Sequence, residues 1–471
     1  MRTHQKAPPG SWHWTVRMLW RSSALAALLL VSLWPLAAQD EQGNVPEASA
    51  EQAGEPPAPE YSGPAVLSRA HQPMIGQGSA FATFQPFFNV SEFYDSDPNA
   101  TLSGSTPNGS TGLALGFGLT GTHRWKKATL SVQYEGNYQR YSQQSTFLGM
   151  NQFLNLTAVV PLQHHLTFSF GQTAGTSRQD FATLLLQPEI LATSTPVPSN
   201  EPLNTGVRFF DSRATVVYQK SPRLSFSASV GESLIREQSL VGTNSTTVSG
   251  DVNYQLTPRT TVGVDYAFDH YGFTAFGSGD FHTVSLDYSW RVTRTVDVAV
   301  QMGMAHGSAR SLSVVSLDPE IAVLLGITTG VQLSDRVVNT PSYSARLVKR
   351  WHYASANLDY QKGVSPGNGL VQTSTAETVT GGFGYPVRDR WRLSVQGGWT
   401  TLSALSSTAN RYSSYMADVS MSHTIRPGLE AVASFDARPF TYVGPAALNR
   451  TFYAARIGLT FSPRPLPIVL R

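Results

Sequence analysis

The side chains in this sequence that could do chemistry are carboxylates and guanidinium groups at every second position, not nucleophiles set beside bases. Cysteine is absent, which removes thiol catalysis, disulfide staples and Cys-ligated metal sites. No P-loop, nucleophile elbow or metal-ligand spacing occurs. His164 and His165 are adjacent at a predicted turn, where paired histidines are more often solvated than ligating. Asp269-His270 has the composition of an acid/base pair, but neighbours on an extended strand face opposite sides and cannot share one site. Neither an enzyme nor a cofactor is expected. What remains is a set of charges that alternation places on one face: Glu135, Asp251, Asp265, Asp287, Asp297, Asp359, Asp418 and Asp436, opposed by Arg213, Arg346, Arg392, Arg438 and Arg456. Charges lining a pore focus ions of opposite sign and set selectivity. Acids outnumber bases here, which favours cations or neutral sugars. The alternative is that these charges pair across neighbouring strands and merely keep the wall wet.

The elements that must position these residues are strands. Leu224 to Val230 reads apolar and small in strict alternation. Val262, Val264, Tyr266 and Phe268 alternate with Gly263, Asp265, Ala267 and Asp269, and Val284, Leu286, Tyr288 and Trp290 alternate with Ser285, Asp287 and Ser289. Period two gives each segment one apolar and one polar face, whereas a helix needs period 3.6. Soluble strands average five or six residues; these run to about ten or more, the length that crosses a bilayer at a tilt. Aromatic residues gather at segment ends, among them Trp125, Tyr138, Tyr141, Tyr218, Trp290, Trp351, Trp391, Trp399 and Tyr453. Amphipathic rings at that spacing suit the two headgroup levels of a membrane. Short turns such as 221–223, 257–259, 388–390 and 426–428 alternate with longer polar loops. The reading is all-β: a closed antiparallel up-and-down transmembrane barrel of about eighteen strands (16–20) over residues 79–461.

Composition agrees. Charged residues make up 14% of the chain, against roughly a quarter in soluble domains. Mean hydropathy is −0.16, too low for a bundle of membrane helices. The formal charge of +3 includes Arg2, Lys6, Arg17 and Arg21, with no acid before residue 39. Without that segment the charge is −1, so nucleic acid is not an expected partner. Ala24 to Leu36 is an apolar run behind a basic lead, too short to span a membrane but fitting the core of a signal peptide cleaved after Ala38. A membrane anchor is the alternative. Residues 39–78 open on an acidic, Pro-rich stretch with no base before residue 66, which predicts a disordered periplasmic linker.

Two long loops share a pattern. Gly175-Thr176-Ser177-Arg178 leads to Pro188-Glu189-Ile190, and Gly307-Ser308-Ala309-Arg310 leads to Pro319-Glu320-Ile321. Loops of this length are usually functional or disordered. One expectation is that they fold into the mouth and narrow it, carrying Glu189 and Glu320 to a constriction. The rival is that 321–331 forms an extra strand pair and raises the count to twenty. The short turns are basic (Arg124, Lys126, Lys127, Lys220, Arg223, Arg259, Arg291, Arg294, Lys349, Arg350, Arg388, Arg390, Arg426). Contact with phospholipid headgroups explains them more simply than docking of an acidic periplasmic partner.

With its signal segment, its alternating hairpins and a last strand that ends on Phe461, the chain resembles a bacterial outer-membrane β-barrel of porin size. One departure is the tail 462–471, which follows the terminal aromatic. The resemblance implies outer-membrane lipid, the barrel-assembly machinery and small hydrophilic solutes as partners. Size and strand count also resemble barrels that accompany exopolysaccharide export, which would add polysaccharide and a periplasmic partner; a loop-based adhesin is the third reading.

Overall fold

The computed structural model describes residues 64, 66–67, 82–97, 109–125, 127–142, 148–178, 206–237, 241–274, 277–316, 318, 320, 326, 328–368, 371–388, 390–405, 410–444, 447–463 and 466–468. The signal segment, nearly all of the linker and Glu189 lie outside them. Among the described residues the strands are β1 (Ala82–Asp95), β2 (Ser110–Trp125), β3 (Ala128–Tyr141), β4 (Leu148–Gln163), β5 (Leu166–Arg178), β6 (Gly206–Gln219), β7 (Leu224–Glu237), β8 (Thr243–Thr257) and β9 (Thr260–Phe273). They continue with β10 (Gly277–Thr293), β11 (Val296–Ser316), β12 (Thr329–Arg350), β13 (Ser355–Gly367), β14 (Gln372–Arg388), β15 (Trp391–Ala404), β16 (Arg411–Arg426), β17 (Leu429–Val443), β18 (Leu448–Phe461) and a short β19 (Leu466–Ile468).

Each strand from β1 to β18 is antiparallel to the next, and β1 closes the ring by pairing with β18 from Phe88↔Phe461 to Asp95↔Ala454. Closure gives each strand from β1 to β18 a neighbour on both sides within the ring, which is why a barrel rather than an open sheet can stand in lipid. The expected eighteen strands are all present. The tail also has a place: Gln85 Nε2 donates to Ser462 Oγ at 2.8 Å, and β19 then pairs with Ala82–Phe84 below the end of β18.

Two boundaries differ from expectation. The long loop expected from Gly307 begins inside a strand: β11 and β12 run to 21 and 22 residues, paired from Val296↔Lys349 to Ser316↔Thr329. Val331 therefore belongs to β12, and the described residues contain no additional strand pair there. At the even positions of the stretch 308–314, Ser308 and Arg310 come before Leu312 and Val314, so the apolar face is interrupted and the segment reads as loop although it pairs as strand. Of residues 39–78 only three are described: Pro64 is fully buried and Val66 and Leu67 are half-buried.

The two ends of the ring differ. At one end the connections are 126–127, 164–165, 220–223, 258–259, 294–295, 351–354, 389–390 and 427–428. At the other they include 96–109, 179–205 and 317–328. Register shifts sit beside five of the tight turns, as expected where an extra residue strengthens the twist. In one of them Gly428 takes φ 83°, and a Cβ there would lie 2.5 Å from the Ser462 carbonyl oxygen.

Burial alternates with the sequence. The outward face is apolar and exposed: Leu286 at 65%, Ile457 at 65% and Met302 at 59%, with Val264, Leu358 and Phe435. Exposed apolar side chains all around a closed sheet make sense only against hydrocarbon, so the ring is a transmembrane β-barrel of the outer-membrane type. Trp125, Tyr138, Tyr218, Trp290, Trp351 and Tyr453 are exposed on its outside, as their girdle role requires. Tyr141 is the exception: it is 6% exposed, turns inward, stacks edge-on with Phe93 at 5.0 Å and donates to Asp95 Oδ2 at 3.1 Å. Its neighbour parity, not its position at a strand end, fixes its side.

Candidate functional site: the lumen and its narrowing

The register places all thirteen of the strand-borne charges singled out above on the inward face, beside buried polar residues such as Asn137, Asn253 and Gln396. Their partners fall into three groups. The first is compensated by strand neighbours. Arg346 lies opposite Asp359 and bonds it at 2.5 Å, and Asn357 Nδ2 adds a 3.2 Å donation. Asp297 takes Arg291 at 3.1 Å and also Arg350. Arg438 reaches Asp436 at 3.3 Å, with Asp418 opposite Asp436 in register.

The second group gathers at the closing strands. Glu135 on β3 and Arg456 on β18 interact electrostatically, and the Arg456 guanidinium lies 5.9 Å from the centre of the Phe93 ring. Arg450 pairs with Asp97 at 3.1 Å near the same seam.

The third is an acidic patch. Asp251 and Asp265 are opposite each other on β8 and β9, and Asp287 stands across Gly263 on β10. Asp251 accepts from Ser227 and Asn253. From Thr243 to Ser289 the inward positions of these three strands carry no base. Arg213 on β6 and Arg392 on β15 complete the set; Arg213 is exposed on the inward face, so the lumen beside it is open to solvent.

The narrowing arises from residues that sequence reasoning did not single out. Glu320 is exposed in the connection 317–328, its backbone N–H donating to Asp318 Oδ1 at 3.2 Å; nothing brings it to the lumen. Glu189 lies outside the described residues. Instead, the inward face turns aromatic toward the long-connection end. Leu402, Tyr412, Phe440, Tyr442 and Phe452 form one buried cluster with Val371, and Tyr271, Phe281 and Ala309 form another. Phe440 stacks on Phe452 at 5.6 Å and tilts against Tyr412 at 5.7 Å. Each of these rings occupies the same parity as the charges further along its strand: Tyr271 follows Asp269, and Phe440 follows Arg438. That continuation was the available signal.

The β13–β14 hairpin joins the two clusters. β12 pairs with β11 along its whole length but with β13 only from Arg350↔Ser355 to Tyr343↔Lys362. Beyond that point β13 stays with β14 as far as Gly367↔Gln372. Leu358, Lys362 and Val364 share the outward face of β13, yet Val364 packs on Tyr271, Phe281 and Ala309, which face inward. The end of β13 has therefore passed inside the wall. Gly279 permits the approach, since a Cβ there would stand 3.3 Å from Thr373 Cγ2. Val371, on the other flank, is 1% exposed in the cluster with Leu402, Tyr412 and Phe440. Asn368 Oδ1 accepts from the Val371 N–H at 3.1 Å and shapes the turn. Leu405 ties the arrangement to β12, donating its N–H to the Thr373 carbonyl at 3.0 Å and accepting from Arg336 at 3.0 Å.

Comparison with solved structures finds similar folds. OpdQ of Pseudomonas aeruginosa is 10% identical, with 83% of this chain and 100% of that chain covered and a TM-score of 0.41. OccAB2 of Acinetobacter baumannii is 9% identical, with 82% and 100% covered and a TM-score of 0.41. The outer membrane protein OpdK of Pseudomonas aeruginosa is 10% identical, with 81% and 98% covered and a TM-score of 0.37. No family model matches the sequence, and no curated protein matches it.

Proposed function

We propose that this chain is an outer-membrane channel that passes small hydrophilic solutes. The observation that carries the reading is a closed ring of eighteen strands whose outside is apolar and whose other face carries charged side chains, among them Glu135, Asp251, Asp265, Asp287, Asp436 and Arg456. A ring of this size is too wide for side chains from the wall alone to fill and leaves an aqueous path. Most of the inward arginines near Asp297, Asp359 and Asp436 are compensated within the wall. The acidic patch on β8–β10 then sets the sign of the field, which favours cationic and neutral solutes.

Single-channel recording of the refolded protein in planar bilayers tests this. Steps on the order of a nanosiemens are expected for a water-filled ring of this strand count. Under a salt gradient the reversal potential should report cation preference, and D251N/D265N/D287N should move it toward zero. Silence from protein shown to be folded by heat-modifiable gel migration would remove the channel reading.

The same proposal takes residues 1–38 as an export signal and 39–78 as the periplasmic segment preceding the barrel. Mass spectrometry of the protein recovered from the membrane should then find Gln39 at its N-terminus. A chain still beginning at Met1 would show an uncleaved anchor.

A further inference from the structure

The discontinuity between β12 and β13 gives one stretch of wall two places to go. Among the described residues, Val338–Ser342 of β12 is in ladder register with β11 and not with β13, so this stretch of its other edge offers a ladder that β13 does not use. Extending the register from Tyr343↔Lys362 by five residues would set Pro341 opposite Val364, Thr340 opposite Ser365 and Val338 opposite Gly367. Pro341 and Pro366 both fall in this stretch, and proline cannot donate to a ladder. The alternative pairing is thus available but weakened, while the tucked position gains the burial of Val364 and Val371.

The tucked position is also strained. Thr373, at the start of β14, takes φ 33° and is the only non-glycine residue with positive φ among the described residues. A β-branched side chain disfavours that region strongly, and such strain persists only where the surroundings enforce it. Here the enforcing contacts are Gly279 on the adjoining wall and Leu405, whose N–H bonds the Thr373 carbonyl. A strained docked segment beside an unused neighbouring edge has the ingredients of a two-position element.

We propose that the strand ends Gly363–Gly367 and Gln372–Ala376 act as a strap over the long-connection end of the lumen. Tucked beneath β9–β11, the strap narrows the path; zipped onto β12, it rejoins the wall and clears it. Arg336, whose guanidinium holds the Leu405 carbonyl, latches the tucked state. This inference rests on the lumen being the route of transport.

Because the chain lacks cysteine, two engineered pairs can trap the two positions in the full-length barrel. G279C/T373C joins residues already in contact, within the reach of a disulfide. T340C/S365C joins residues that only the zipped register makes neighbours. Under mild oxidation in membranes, both pairs are expected to cross-link, the second more slowly and faster when R336A is added. In bilayers, oxidised G279C/T373C should show a loss of step conductance that dithiothreitol restores, and oxidised T340C/S365C should show larger steps than the reduced form. Failure of T340C/S365C to cross-link in a folded barrel would overturn the strap as a moving part, and so would equal conductance of the two trapped forms. The cross-linking readout needs no ion flow, so a barrel that traps in both positions yet never conducts would defeat the channel reading alone.

Discussion

A barrel carrying Leu286→Arg should lose about 2–4 kcal/mol of stability in a bilayer, the cost of a charged side chain near the midplane of the lipid face. Leu286 is 65% exposed on the outside of β10, between the girdle residue Trp290 and the polar His282 near the long-connection end. Its guanidinium replacement would have only hydrocarbon for solvent and a long reach to either headgroup layer. The measurement is the urea midpoint of folding into lipid vesicles, followed by tryptophan fluorescence and gel migration. Arg213 supplies the control, since the same side chain already stands exposed on the inward face of β6. Arg213→Leu should move the midpoint little. Equal costs at the two positions would mean that the assignment of faces is wrong.

Replacing Gly116 and Gly118 together by valine should prevent the ring from closing. Across β1 and β2 three inward pairs set a larger side chain on glycine: Phe93 opposite Gly112, Asn89 opposite Gly116 and Phe87 opposite Gly118. A Cβ at 118 would lie 2.1 Å from Phe87 Cζ and 2.7 Å from the Tyr134 carbonyl oxygen, and one at 116 would lie 2.1 Å from Asn89 Oδ1. Phe87 and Asn89 are 2% and 5% exposed, so neither has room to retreat. Overpacking of this kind costs about 1–3 kcal/mol per site. It falls on β1, the strand that joins β18 and so completes the barrel. The expected result is loss of the fast-migrating folded band in unboiled gels, with Gly171→Val, where a Cβ would meet nothing within 4 Å, as the tolerated control. A folded G116V/G118V barrel of normal stability would show that β1 does not pack over β2 as described.

The faces of the strands were legible in the residues themselves. Period two forces Val264 outward and Asp265 inward once either side is known, and the neighbouring hydrocarbon fixes which side is which. The same rule located the thirteen inward charges and the tight basic turns, because these depend on positions one or two residues apart. Tyr141 could have been placed by that rule too, and was misplaced when its position at a strand end was weighed above its parity. The narrowing of the lumen was not legible in this way. It depends on where β13 parts from β12, which is a competition between ladder bonds lost beyond Tyr343↔Lys362 and burial gained when Val364 meets Tyr271, Phe281 and Ala309. Pro341 and Pro366 mark the weak place in sequence, but not the surface that receives the freed strand. That surface is assembled from β9, β10 and β11, with Ala309, its nearest member in sequence, more than fifty residues before Val364, and the pairing of β9 through β12 is what sets it beside the freed strand. Alternation is a local property and survives any register; the contact of β13 with the inward side chains of β9–β11 exists only once those strands and β12 have found theirs.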